Sequence, residues 1–106
     1  MVKTKINQDG YVYFIRDGLG HIKIGKTTDL KQRLVTLQTA NPMKLEFWYG
    51  IHFQTLKEAE EVEESFHNLF ADYRLQGEWF SEEYVMEFLR SDKVIVGDYE
   101  AEGVRW

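Results

Sequence analysis

Several polar residues of this chain stand where the local pattern calls for apolar ones. Between Thr55 and Arg74, apolar residues recur at helical spacing: Leu56, Ala59, Val62, Phe66, Leu69, Phe70 and Tyr73. At roughly 100° per residue, with Leu56 at zero, they occupy an arc from about 220° to about 360°. Glu63 falls near 340°, inside that arc, whereas Glu58, Glu60, Glu61 and Glu64 fall outside it, as a solvated acidic face should. His67, one turn beyond Glu63, lies just beside the arc, so the two side chains can converge on one point. A glutamate so placed either pairs with a lysine or arginine or holds a hard cation. A histidine so placed is either a satisfied core residue or a partner in such a site.

Two more residues, Arg33 and Lys23, break their patterns in a related way. Arg33 lies about 60° from the middle of the Leu30, Leu34 and Leu37 stripe. Its guanidinium either reaches over a sheet edge or its stem snorkels along apolar surface. In YVYFIR, Tyr11, Tyr13 and Ile15 share one strand face. In HIKIGK, Lys23 stands between Ile22 and Ile24 and points to the face opposite theirs. A lysine in an apolar strand needs water, an anion or a carboxylate for its charge. Phosphoryl chemistry uses these parts: a carboxylate for a divalent cation, an arginine for charge on the transferring phosphate, and a phenol or lysine to handle a proton.

The elements that must position these groups are legible from punctuation and period. Tyr11 to Arg16 and His21 to Lys26, joined by Asp17-Gly18-Leu19-Gly20, predict a β-hairpin. Thr28 or Asp29 caps a first helix from about Asp29 to Thr39, which Asn41-Pro42 stops. Lys44 to Phe53 is a third strand. Thr55 and Glu58 read as a capping box opening a long second helix that ends near Arg74. Gly77 to Phe80 is a turn or short extended piece, and Ser81 opens a third helix through about Leu89. Val94-Ile95-Val96 reads as an edge strand or a docking segment. The expectation is a single α+β domain over 1–106, with its core at about 10–89 and a tail at 90–106. Its order is ββαβαα, with three strands and three helices packed as one layer against another.

Composition bounds the function. At 106 residues there is room for one domain. The absence of cysteine excludes thiolate metal sites, disulfides and cysteine nucleophiles, so any metal must use oxygen or imidazole ligands. No apolar run approaches a membrane span, and the protein is expected to be soluble and cytoplasmic, with no membrane partner. The net charge of −5 hides a division. Up to Lys44 there are 8 basic and 3 acidic residues, and from Leu45 onward 5 basic and 15 acidic.

Taken together, these residues resemble the GIY-YIG nucleases. Val12-Tyr13 stands for the first signature and Lys23-Ile24-Gly25 for the second. Asp29-Leu30-Lys31-Gln32-Arg33-Leu34 follows, then the helix with Glu63, Phe66-His67 and Phe70, and finally Gly77-Glu78-Trp79-Phe80. The last two pieces resemble a small-protein branch found in phages and bacteria, whose second half reads E-x-x-(apolar)-H-x-x-F followed by G-E-W-F. The resemblance covers roughly residues 10–89. It departs from the family at Lys23, which replaces the second signature tyrosine. Nor does the chain show a clear counterpart to the family's late polar residue, often Asn; Glu78 comes nearest and reads as a capping or loop carboxylate.

The resemblance implies a three-stranded antiparallel sheet and metal-dependent hydrolysis of DNA phosphodiesters. By position, Tyr13 would activate or place the attacking water, Arg33 would stabilise phosphate charge, Glu63 would bind Mg²⁺ or Mn²⁺, and His67 would handle a proton or support the cation site. Lys23 would donate to phosphate or lower a neighbouring phenol's pKa. DNA would lie across the basic first half, using Lys23, Lys26, Lys31 and Arg33. The rival expectation is a non-catalytic module of a phage or mobile element. It would bind another protein or a DNA intermediate through the former catalytic face; separately, the acidic second half or the C-terminal tail is the surface expected for a protein partner or a second copy.

Overall fold

The computed structural model describes residues 8–90 and 102–104. Its element order is β1 (Gly10–Arg16), β2 (His21–Thr27), α1 (Leu30–Thr39), β3 (Glu46–Phe53), α2 (Leu56–Leu69), a 3₁₀ turn (Ala71–Tyr73), β4 (Arg74–Gln76), β5 (Trp79–Ser81), α3 (Glu82–Arg90) and β6 (Glu102–Val104). The antiparallel core of β2, β1 and β3 is present, but short strands extend it on both sides to the order β4-β5-β2-β1-β3-β6. The expected three-stranded sheet is therefore too small. β4 and β5 have three residues each, too few for strand alternation to register in the sequence. The Val94-Ile95-Val96 segment lies outside the described residues.

Helices cover both faces of the sheet, so the expected packing of one layer against another is also corrected. Val12, Phe14, Ile22, Ile24, Ile51 and Phe53 pack with Ala59, Val62 and Phe66 of α2 and Val85 and Met86 of α3. Tyr13, Ile15, Leu45 and Phe47 pack on the other face against Leu30, Leu34 and Leu37 of α1. The reason is in β1: a strand whose side chains are apolar in both alternating sets needs cover on both sides.

Local chemistry sets the element ends. Asp29 Oδ1 accepts from Gln32 N at 3.0 Å and caps α1. Thr55 Oγ1 accepts from Glu58 N at 3.1 Å and donates to Glu58 Oε1 at 3.0 Å, a side-chain variant of the capping box. α2 stops at Leu69, short of the expected Arg74, and the 3₁₀ turn carries the chain onward. Apolar residues three apart, such as Phe70 and Tyr73, suit a 3₁₀ turn as well as an α-helix, so periodicity does not separate the two. Among the described residues no helix is long and apolar enough to cross a membrane.

Candidate active site

β2 outruns its neighbour β5, and the site forms at that step. β5 pairs with β2 only over His21, Ile22 and Lys23. At the next residue, Ile24 N–H donates to Glu78 O at 3.0 Å, and Ile24 C=O accepts from His67 Nε2 at 2.8 Å. One strand residue thus ties the loop before β5 to a side chain of α2. Gly77 enters that loop with φ +56°, a backbone conformation that side-chain-bearing residues rarely adopt, and so turns the chain to present Glu78.

Tyr13 reaches the same place from β1. It faces Gly25 across the hairpin, and a Cβ at Gly25 would collide with its hydroxyl and ring. The phenol therefore lies over the glycine, and the tyrosine is only 2% exposed. Burial first, and then the charge of Glu78, push its phenol well above the ordinary tyrosine range; Arg33 pulls it down and Glu63 adds to the rise. Groups from α1, α2 and the β4–β5 loop consequently act on one hydroxyl.

Glu63 is 7% exposed, buried as the helical arc requires. Its Oε1 lies 3.9 Å from Lys26 Nζ, at the limit of an ion pair, and its Oε2 is buried without a hydrogen-bond partner among the described residues. Burial raises its pKa above the usual carboxylate range, against the pull of Lys26 and with a push from Glu78. A buried carboxylate oxygen left unpaired is costly, since it has lost its water and gained nothing in return. The donor set fits a divalent cation: ligand atoms of Glu63, His67 and Glu78 all lie within 4.8 Å of one another.

Lys23 Nζ sits 3.0 Å from Glu78 Oε1 and 5.7 Å from the centroid of the Trp79 ring. The carboxylate that the sequence reads as a capping or loop group is therefore part of the cluster. The signal available for it was its place between a turn glycine and two aromatic residues. Arg33 is exposed on α1 but its charge reaches Tyr13. Lys26 is brought to Glu63. Lys31 stands exposed on α1 and is not among the charges acting on Tyr13 or Glu63. The basic first half and the acidic second half thus interleave here.

A family model described as the T5orf172 domain matches residues 10–95 of the chain, which takes in every residue of this cluster. No curated protein and no solved structure gives a match.

Proposed function

We propose that this chain, which belongs to the T5orf172 domain family, a GIY-YIG-like, phage-associated nuclease-type domain, is a metal-dependent endonuclease that hydrolyses DNA phosphodiester bonds. Glu63 carries this reading: a carboxylate is buried in a helix that is otherwise apolar on that face, with one oxygen unpaired and a phenol, an imidazole and cations around it. A structural carboxylate would normally be satisfied.

Glu63 would hold Mg²⁺ or Mn²⁺, which when bound supplies positive charge to the phosphate under attack. Arg33, with a planar fork at the exposed end of the cluster, binds the same phosphate and stabilises the charge that grows on it. Tyr13 keeps its proton at neutral pH, because burial and two carboxylates oppose its ionisation. Its Oη thus serves to place the attacking water through a hydrogen bond, rather than as a standing phenolate base. Lys23 and Lys26 flank the site and, with Lys31 on α1, offer ammonium groups to neighbouring phosphates.

The test is relaxation of supercoiled plasmid with and without Mg²⁺ or Mn²⁺. Open circles should appear with metal and vanish with chelator. Linear product should follow only later, because one active site cuts one strand. Failure to nick with either metal would sink the reading.

The excess of acidic residues after Lys44 favours a second reading, a non-catalytic module for a protein partner or a DNA intermediate. DNA binding separates the nuclease from the protein-binding form of this reading, and nicking separates it from the DNA-binding form. With about three or four phosphates neutralised, the slope of log affinity against log salt should be about −3 to −4. Neutralising Lys26 and Lys31 together should flatten it equally on every sequence. A chain that binds neither duplex nor single-stranded DNA at low salt would be the protein-binding module.

A further inference from the structure

We infer that Glu63, His67 and Glu78 together form a three-ligand site for a first-row divalent ion, held closed in the ion-free protein by Lys23 and Lys26. The inference rests on the nuclease reading for its purpose but not for its geometry. It adds two direct ligands to Glu63 and assigns the lysines a role as internal counterions.

Four observations carry it. Glu63 Oε2 is buried and unpaired although Lys26 Nζ stands only 3.9 Å from the other oxygen. The three potential ligand atoms lie within 4.8 Å of one another. Metal–ligand bonds of about 2.1 Å put neighbouring donors about 3 Å apart and opposed donors about 4 Å apart, so the cluster closes with side-chain shifts of about 1–2 Å. One nitrogen of His67 is already committed: a carbonyl can only accept, so the 2.8 Å contact with Ile24 O places a proton on Nε2 and makes Nδ1 the nitrogen an ion would take. A ring anchored to a backbone carbonyl through its other nitrogen is the usual support of a metal-binding histidine. Finally, the charges balance. Two ammonium groups, Lys23 on Glu78 at 3.0 Å and Lys26 on Glu63, face two carboxylates. One divalent ion replaces them charge for charge and frees both lysines.

The ligand chemistry sets the ion class. Two carboxylates and one imidazole favour Mn²⁺, Co²⁺ or Zn²⁺ over Mg²⁺, because imidazole nitrogen adds more to the affinity of those ions than to that of a hard, oxygen-seeking one.

The test reads binding, not cleavage. Mn²⁺ titrated into the full chain, followed by loss of the free-ion electron paramagnetic resonance signal, should show one site. Glu78→Gln and His67→Gln should each weaken it by at least about tenfold. The glutamine at 67 retains an amide donor for Ile24 O, and metal-free melting curves establish that each variant is folded. Calorimetric titration with Mg²⁺ should show a smaller loss for His67→Gln than Mn²⁺ does. Lys23→Met, which removes the competing cation and keeps an apolar stem against Trp79, should tighten Mn²⁺ binding, an outcome no purely structural role for these residues predicts. Absence of Mn²⁺ binding overturns the inference, as does binding that only Glu63→Gln weakens. If all three ligands contribute but plasmid is not nicked, the site stands and the nuclease reading falls. If plasmid is nicked while His67→Gln and Glu78→Gln leave Mn²⁺ binding intact, the nuclease reading stands and the three-ligand site falls.

Discussion

The hairpin of β1 and β2 carries a charged cluster at each end, and the two are built in opposite ways. At the turn end, Arg16 is fully engaged: Nε and Nη2 donate to the two oxygens of Glu82 at 3.0 and 3.1 Å, and Nη1 lies 3.7 Å from Glu46. Beside it Asp17 accepts from Leu19 N, His21 N and the His21 ring. At the other end, Glu63 has a long contact to Lys26 and a buried oxygen with no partner. Ion pairs closed by hydrogen bonds hold a fold together, whereas a buried carboxylate left short of partners costs stability and calls for a reason to be kept. One end of the hairpin is satisfied within the protein, and the other, where the proposed function places its chemistry, is not.

Breaking the open end should cost the most activity and the least stability. Glu63→Gln is expected to lower the plasmid-nicking rate by about a thousandfold or more, the scale of losing a principal electrostatic group. The variant should melt no lower than the natural chain in metal-free buffer, because a neutral amide replaces a buried carboxylate with one unpaired oxygen and only a long ion pair to Lys26. Wild-type nicking at saturating metal would erase the contrast. Arg33→Lys keeps the charge and loses the planar fork. A rate loss of about a hundredfold with little change in DNA affinity would identify a role in the transition state, while loss of affinity alone would make Arg33 one more phosphate contact.

The closed end should behave in reverse. Arg16→Met leaves Glu82 half-buried and unpaired, and denaturant unfolding should show a loss of about 1–3 kcal/mol with the nicking rate per folded molecule unchanged. The smallest effect concerns pH. Burial alone would raise Asp17, but the hydrogen bonds from Leu19, the His21 ring and the His21 amide outweigh it and hold the carboxyl below its ordinary value. The unfolded chain therefore takes up this proton first. The stabilisation is complete above the usual carboxylate pKa and is lost as pH falls through the depressed folded value. Asp17→Asn preserves the turn acceptor and removes the titration. Its stability should change less between pH 5 and strongly acidic solution than that of the natural chain. Parallel acid profiles would remove Asp17 from the stabilising cluster.

Local periodicity and punctuation were enough to locate α1, the hairpin, β3 and the start of α2, since each depends on neighbours within a turn or a strand pair. The same reasoning applies to Glu63, whose angle on the helix follows from 3.6 residues per turn and nothing else, and to Tyr13 and Lys23, each of whose place opposite its immediate strand neighbours follows from strand alternation. What required the tertiary structure was everything set by distant pairing. Glu78 is a carboxylate in a loop by every local measure; only the pairing of β5 with β2 brings it to Lys23 and Glu63. The closeness of Tyr13 to Gly25 needs the hairpin register. Helices on both sheet faces, and strands three residues long, were likewise decided by packing. A residue's type and angle are local properties of the chain, but whether its charge is satisfied depends on groups tens of residues away, and at this site that is what distinguishes the under-satisfied Glu63 from the fully paired Glu82.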